Sequence, residues 1–475
     1  MADITISKKD DVHIRVDCEP SIAQELHSHF SFDIPGAKFH PMYRNKIWDG
    51  QLHLFSMFTK QIYVGLKPYV EHFAEVNEYT VDDSKYEQTA DKISLEDLKD
   101  FISDLKLTSR EKPIEVREYQ LNAIYQSIKD GRRLLLSPTG SGKSLIIYVL
   151  LRWHAQWGVS RKQLIIVPTT SLVEQLYSDF QDYSFLDEEW NASDWCHRIY
   201  GTAEKSNTSR ITISTWQSLY KLPKNYFKDF QAVYGDECHL FKAKSLTQIM
   251  HKCVNSPFRI GTTGTLDGTK THKLVLEGLF GPVYKTTTTK SLIDAKQLAD
   301  LKIYAIILQY KDEPRNKFIR NLTLDQKGNT LVLFQFVEKH GKILHDMVLQ
   351  KTNNRKVFFI YGGTDTEQRE NARKITEKET NAIIIASFGT FSTGINIRNL
   401  HNIIFASPSK SRIRNLQSIG RGLRVGDNKS KCKLYDIGDD MSWRSRKNYT
   451  LHHMVERIKI YADEEFDYSL IKVDI

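Results

Sequence analysis

At 475 residues the chain is too long for one hydrophobic core, so two or three domains are expected. Its 40% hydrophobic and 26% charged residues are ordinary for a soluble globular protein; no secretory leader and no bilayer-length apolar run occur, so no membrane partner is expected. Five scattered cysteines with no C-x-x-C pair argue against a disulfide framework or a structural zinc site and fit a reducing cytoplasm.

The formal charge is +9 with a pI near 9.0, which permits a polyanionic partner, and it is unevenly spread. Residues 1–110 hold 13 Lys/Arg against 19 Asp/Glu, whereas the remainder holds 54 against 39. The basic surface therefore belongs to the later part of the chain.

In chain order, residues 12–17 alternate like a strand and Pro20 opens a helix reaching about residue 30. Residues 51–58 and 61–66 read as a hairpin and 67–76 as a second helix, giving a small accessory α/β unit over residues 1–108. The acidic, weakly apolar segment 78–87 leads into a helix over 94–105 and reads as a tether more than core. Between Lys38 and Lys60 the block is locally basic and aromatic, with Tyr43, Arg44, Lys46 and Trp48 interleaved. Arg44, Lys46 and Trp48 suit contact with nucleic acid by stacking and phosphate pairing. A small core burying Trp48 and Phe55, with the cations simply solvated, fits equally well.

From residue 113 the pattern changes to short apolar strands alternating with helices, at 133–136, 163–167, 211–214, 232–234 and 258–261. Each strand ends in polar or glycine-rich residues, the pattern of an open, doubly wound parallel sheet. The same rhythm recurs from about residue 301, at 303–308, 329–334, 356–360, 382–386, 402–406 and 432–436. Two such lobes are expected, 109–290 and 291–475, with a hinge in the Thr-rich stretch 286–289. The short polar join 311–315 is unexpected, because a further helix belongs there; a segment absent from the chain would account for it.

The run Ser137, Pro138, Thr139, Gly140, Ser141, Gly142, Lys143, Ser144 follows a strand and opens a helix, the context in which a phosphate loop has meaning. The glycines let backbone N–H groups turn inward around phosphates, and the helix N-terminus adds its dipole. Lys143 is expected to reach the β- and γ-phosphates of ATP, with the Ser144 hydroxyl on Mg²⁺. Ser137 stands where the usual pattern has Gly. Asp236 and Glu237 follow a strand; the first suits a Mg²⁺ ligand and the second can orient and deprotonate the attacking water. Cys238 and His239 lack partners at zinc spacing and read as structural or coupling residues. Arg421 and Arg424, at i and i+3, share one helix face and can stabilise charge on the transferring phosphoryl group, making hydrolysis depend on closure of the second lobe onto the first.

These residues resemble superfamily 2 helicase motifs in their usual order: SPTGSGKS, DECH, TTGT at 262–265 and QSIGRGLR at 417–424, with REYQ at 117–120, VPTT at 167–170, ISTWQ at 213–217 and SFGTFSTGIN at 387–396. The resemblance covers about residues 113–440 and implies two tandem RecA-like lobes. It implies adenine recognition by Gln120 with Arg117, further nucleotide contacts from Gly394 and Gln417, and nucleic-acid contacts from Thr169, Thr170, Thr215 and Thr393. Thr263, Gly264 and Thr265, with His239, would link hydrolysis to strand movement. The segment FHPMYRNKIWDG at 39–50 and IYADE at 460–464 further resemble the UvsW-type recombination helicases of T4-like bacteriophages. That family implies remodelling of branched DNA by branch migration, R-loop unwinding and fork regression, by a monomer in the host cytoplasm that meets replication or recombination proteins. Two other readings remain open at this point: an RNA helicase, disfavoured by His239 at the final position of motif II, and an ATP-binding nucleic-acid scaffold without turnover, disfavoured by the intact Lys143, Glu237, Arg421 and Arg424.

Overall fold

The computed structural model describes residues 2–34, 36–86, 93–158, 162–201, 203–205, 209–309, 314–352, 354–394, 397, 399–407, 411–424, 429–442 and 448–475, without the side chains of 157, 158, 242, 366 and 392–394. By its internal contacts the chain divides into two units, residues 1–136 with 142–286 and residues 137–141 with 287–475. The division at Thr286 falls inside the Thr-rich stretch.

The first unit begins with a four-stranded sheet in the order Gln61–Tyr63, His13–Cys18, Ile4–Lys8, Val81–Lys85. Ile4, Ile6, Ile14 and Val16 alternate onto one face and are fully buried beneath the helices Pro20–His29 and Lys67–Val76. Two expectations need correction. Gln51–His53 and Gln61–Tyr63 do not pair as a hairpin. The chain reverses through a single Ser56–Gln61 bridge, but Gln51–His53 pairs with Ser31–Asp33 and Gln61–Tyr63 with His13–Arg15. Nor is the acidic segment a tether: Val81–Lys85 runs parallel to Ile4–Lys8 as an edge strand. An edge strand needs backbone hydrogen bonds more than apolar side chains, so a mostly exposed, charged sequence can occupy it. The following helix, Leu95–Asp104, starts with a Ser94/Asp97 capping box and buries Leu98 and Phe101 in the core of the next sheet.

That sheet has seven parallel strands in the order Cys196–Ile199, Ile211–Thr215, Lys162–Val167, Phe230–Asp236, Phe258–Thr263, Arg132–Leu136, Val283–Lys285. The central strands are buried on both faces, as their unbroken apolar runs demand. The second unit repeats the plan with Val357–Ile360, Ile383–Ser387, Thr330–Phe334, Asn402–Phe405, Lys431–Asp440, Asp300–Gln309 and Tyr468–Asp474, again all parallel. Two parallel-sheet lobes and a small N-terminal α/β block are thus present, and the helix Arg315–Asp325 follows the unexpected join, of which residues 311–313 lie outside the described residues. Within the two seven-stranded sheets, the strands that the sequence pattern misses, Cys196–Ile199, Val283–Lys285 and Tyr468–Asp474, are all edges; in the N-terminal sheet the interior strand Ile4–Lys8 is missed as well. Among the described residues no helix is long and apolar enough to cross a membrane.

Candidate functional site

In the first sheet, register brings three motifs to one edge. Leu136, the last strand residue before the phosphate loop, lies opposite Thr263, and Thr262 lies opposite Asp236. The carboxyl ends of three adjacent parallel strands therefore deliver the glycine-rich loop, the paired acids and the TTGT segment side by side, where an open α/β sheet binds its ligands.

Gly142 caps the helix Lys143–Trp153 with φ of 82°, a left-handed conformation suited to glycine. A β-carbon there would also collide with the Gln120 amide nitrogen, which places the adenine-reading candidate directly against the loop. Gln120 is buried and its Oε1 accepts the Arg117 backbone N–H at 3.0 Å, so its orientation is fixed from its own helix, Glu118–Asp130. Arg117 itself turns its guanidinium to the Tyr119 hydroxyl at 3.0 Å. Within the loop, Ser137 and Ser141 hydroxyls pair at 2.6 Å and Ser141 donates to the Pro138 carbonyl at 2.7 Å, which pins the turn that carries Thr139 and Gly140.

Asp236 ends its strand almost fully buried and accepts the Thr262 hydroxyl at 2.7 Å. Burial raises its carboxyl pKa, and the neighbouring Glu237 charge raises it further, while Lys143 and Thr262 act in the opposite direction. The donors suit a hard dication: one carboxylate, the Ser144 hydroxyl and phosphate oxygens are what Mg²⁺ prefers. Among the described residues no group of three or more His, Cys, Asp or Glu could hold a metal alone. Ser144 Oγ lies 2.8 Å from the Tyr183 hydroxyl, and donating its hydrogen there would leave its lone pairs facing a cation. Tyr183 carries no sequence signal and was not anticipated.

Glu237 sits at φ 50°, ψ 44°, a left-handed conformation that costs a residue with a β-carbon about 1 kcal/mol or more. The strain turns its carboxylate toward His239, whose Nδ1 lies 3.3 Å from Glu237 Oε2 and 3.0 Å from Thr263 Oγ1. Thr263 spends its own hydrogen on the Thr265 carbonyl at 3.0 Å, so His239 must donate from Nδ1. Glu237, His239, Thr263 and Thr265 therefore form one continuous polar path, and Gly264 is the joint within it.

Thr169, two residues past the strand Lys162–Val167, and Thr215, the last residue of the adjacent strand Ile211–Thr215, occupy the N-cap positions of the helices that follow. Thr169 accepts the Leu172 N–H at 3.4 Å, Thr170 is exposed, and Thr215 is buried with its hydroxyl 3.2 Å from Ser218. Gln217 donates to the Pro168 carbonyl at 3.4 Å and ties the two strand ends together. In the N-terminal block, Arg44 and Lys46 are exposed, whereas Trp48 is half-buried with its ring N–H on the Gln51 carbonyl at 2.8 Å. Phe55 is core. The large apolar side chains that stand out beside the cations are instead Phe39, Ile47 and Phe58.

In the second unit, Gln417 and Arg421 lie on the helix Arg412–Gly422, and the Arg421 guanidinium sits 5.3 Å from the Phe391 ring centre. The shared helix face expected for Arg421 and Arg424 is corrected: the helix stops at Gly422, Leu423 caps it, and Arg424 lies beyond the cap. Lys429 bonds the Gly422 and Arg424 carbonyls and thereby stands in for the next helical turn. The helix Phe388–Gly394 carries the SFGTFSTG motif from its second residue on, but the side chain of Thr393 lies outside the described residues, as do residues 395–396.

Three family models match: "DNA helicase UvsW, N-terminal" over residues 3–82, "Type III restriction enzyme, res subunit" over 113–268 and "Helicase conserved C-terminal domain" over 314–426. The ATP-dependent DNA helicase uvsW of Enterobacteria phage T4 is 34% identical over 511 aligned positions spanning all of both chains. The crystal structure of T4 UvsW superposes with a TM-score of 0.55 at 32% identity, covering 99% of each chain. S. cerevisiae Dbp5 bound to RNA and ADP BeF3 shares the fold alone, with 13% identity and a TM-score of 0.56 over 80% of this chain and 95% of its own. The chain belongs to the superfamily 2 helicases, in the family of the phage T4 DNA helicase UvsW.

Proposed function

We propose that the chain is an ATP-driven DNA motor that remodels branched DNA, through branch migration, R-loop unwinding and fork regression. The observation that carries the reading is the register placing the phosphate loop, Asp236 and Thr263 on neighbouring strand ends. Lys143 holds the transferring phosphate, Asp236 and Ser144 hold Mg²⁺, and Glu237 activates water. Gln120 with Arg117 reads adenine, and Gly394 and Gln417 complete the nucleotide contacts. Arg421 and Arg424 supply the charge that stabilises the transition state, so turnover requires residues of both units. Thr169, Thr170, Thr215 and Thr393 track the nucleic-acid backbone. The path from Glu237 through His239 to Thr263 and Thr265 passes the state of the water-activating carboxylate to the strand-moving segment.

Residues 1–108 act as an accessory DNA-binding block, 109–290 as the ATP-binding lobe and 291–475 as the second lobe. Exposed Arg44 and Lys46 beside Phe39 and Ile47 support a role in gripping DNA whose bases are accessible, with Trp48 holding the segment's shape. The protein works as a monomer in the host cytoplasm, on branched or duplex DNA and on RNA–DNA hybrids, alongside replication or recombination proteins.

The deciding experiment measures ATPase rate with no nucleic acid, single strands, duplex, RNA–DNA hybrid and a four-way junction. The junction is expected to stimulate most. Stimulation by RNA alone would favour an RNA helicase, and nucleotide binding without turnover a scaffold. Lys143→Ala is expected to abolish hydrolysis while leaving DNA binding intact.

A further inference from the structure

The IYADE segment at 460–464 has no role in the chemistry above, yet its two acids reach the helix that carries Arg421. The C-terminal helix Tyr449–Asp463 is locked to the second sheet by a buried cluster. Arg457 Nε donates to both Asp436 oxygens at 2.9 and 2.8 Å, and the Tyr461 hydroxyl donates to Asp436 Oδ2 at 2.7 Å, all three side chains being almost fully buried. From the end of this fixed helix, Asp463 and Glu464 take the two terminal nitrogens of Arg412, at 2.7 and 2.8 Å.

Arg412 is the first residue of the helix Arg412–Gly422, where a cation opposes the helix dipole. Helix stability alone does not call for it there. The other end of the helix is held as firmly: buried Lys429 donates to the Gly422 and Arg424 carbonyls, and the Ala299 N–H donates to the Leu423 carbonyl at 2.7 Å. Both ends of an eleven-residue helix are thus fixed to separate elements, one to the end of the helix Tyr449–Asp463 and the other to the residues leading into the strands Asp300–Gln309 and Lys431–Asp440, with Gln417 and Arg421 between them.

We propose that Arg412, held by Asp463 and Glu464, and Lys429 are positioning residues that fix Arg421 and Arg424 for transition-state stabilisation. This rests on the reading of those two arginines given above. A positioning fault is felt where the contact strengthens, in turnover, and far less in nucleotide affinity.

The test uses the full chain with saturating DNA. Arg412→Ala and Lys429→Met are each expected to lower kcat for ATP by about 10-fold with KM changed by less than about 2-fold. The charge-swapped chain carrying Arg412→Glu, Asp463→Arg and Glu464→Arg is expected to recover kcat to within about 3-fold of the parent, and Arg412→Ala to speed amide hydrogen exchange across 412–422. Unchanged kcat in folded Arg412→Ala and Lys429→Met would overturn the proposal. So would a swapped chain that folds, by its thermal midpoint, yet stays as slow as Arg412→Ala. Should Lys429→Met not fold, the Arg412 series alone decides. Arg421→Ala is measured alongside: if it leaves kcat unchanged the assigned role of the arginines fails, whereas hydrogen exchange over 412–422 still reports whether the clamp exists.

Discussion

His154 shows what burial does to a single titratable residue. It is fully buried at the end of the helix that follows the phosphate loop, with Nδ1 2.6 Å from the Tyr234 hydroxyl. Tyr234 donates to Gln163 Oε1 at 3.1 Å, so His154 donates from Nδ1, and its buried Nε2 has no acceptor among the described residues to take a second proton's hydrogen bond. Burial pushes its pKa down to about 3. The unfolded chain takes up the proton first, near the ordinary value of 6.5, so this histidine stabilises the fold above pH 6.5 and that stability drains away as pH falls toward 3. The loss amounts to about 2 kcal/mol by pH 5. Urea unfolding at pH 7.5 and 5.0 measures it; His154→Phe should remove that part of the difference, and an equal acid loss in the variant would refute the assignment. Thr263 tests the polar path in the same residue-by-residue way. Thr263→Val removes both the acceptor for His239 and the donor to Thr265. Strand unwinding per ATP hydrolysed should drop several-fold, by about 1 kcal/mol or more of lost coupling. A proportional loss of ATPase and unwinding would instead make Thr263 a part of the hydrolytic site.

At the scale of elements, the helix Leu95–Asp104 decides between a tether and a docked element. Phe101 packs edge-on against Trp153 at 5.1 Å and is buried in the first lobe's core. Phe101→Ala should cost about 3 kcal/mol, and Ser94→Ala about 1 kcal/mol through loss of the capping box. A tether would lose almost nothing in either, so the urea midpoint separates the two. The same contrast explains what could be read from the sequence. Every central strand of both lobes was visible because burial on both faces forces an unbroken apolar run, as in Leu164 to Val167 or Leu331 to Phe334. Edge strands such as Val81–Lys85 and Tyr468–Asp474 need only backbone partners, and neither buries a side chain, so neither has to carry the unbroken apolar run of a central strand. Lys143, Asp236 and Glu237 were legible because phosphate chemistry dictates residue types at fixed spacing. Tyr183 was not, because any donor or acceptor at the right place in space would serve. Arg424 was placed on a helix because sequence spacing assumes the helix continues, whereas Lys429 supplies the last bonds from outside it.

For the whole molecule, the structure argues that the N-terminal block is no detachable appendage. Its Phe30, Phe55, Leu66 and Phe73 belong to the same apolar cluster as Leu274, Leu276 and Phe280 of the first lobe. Gly65 approaches so closely that a β-carbon would strike the Glu277 carbonyl. The Glu277 carboxylate, almost fully buried, accepts the Tyr69 hydroxyl at 2.6 Å and the Val283 N–H at 3.0 Å. Deleting the block would therefore uncover apolar surface and leave a buried carboxylate short of a donor, so loss of DNA binding after deletion would not isolate DNA contacts. Substituting exposed Arg44 and Lys46 does isolate them. Tyr69→Phe tests the shared core with a single atom removed, and a hydrogen bond to a buried charge is worth about 1.5–3 kcal/mol. If block and lobe unfold as one cooperative unit, native-state hydrogen exchange in Tyr69→Phe should weaken the slowest amides of Ile4–Lys8 and of Phe230–Asp236 by the same amount, leaving those of Thr330–Phe334 unchanged. Weakening confined to Ile4–Lys8 would mean that the block opens by itself while the lobe stays folded, and would restore the picture of an independent accessory domain.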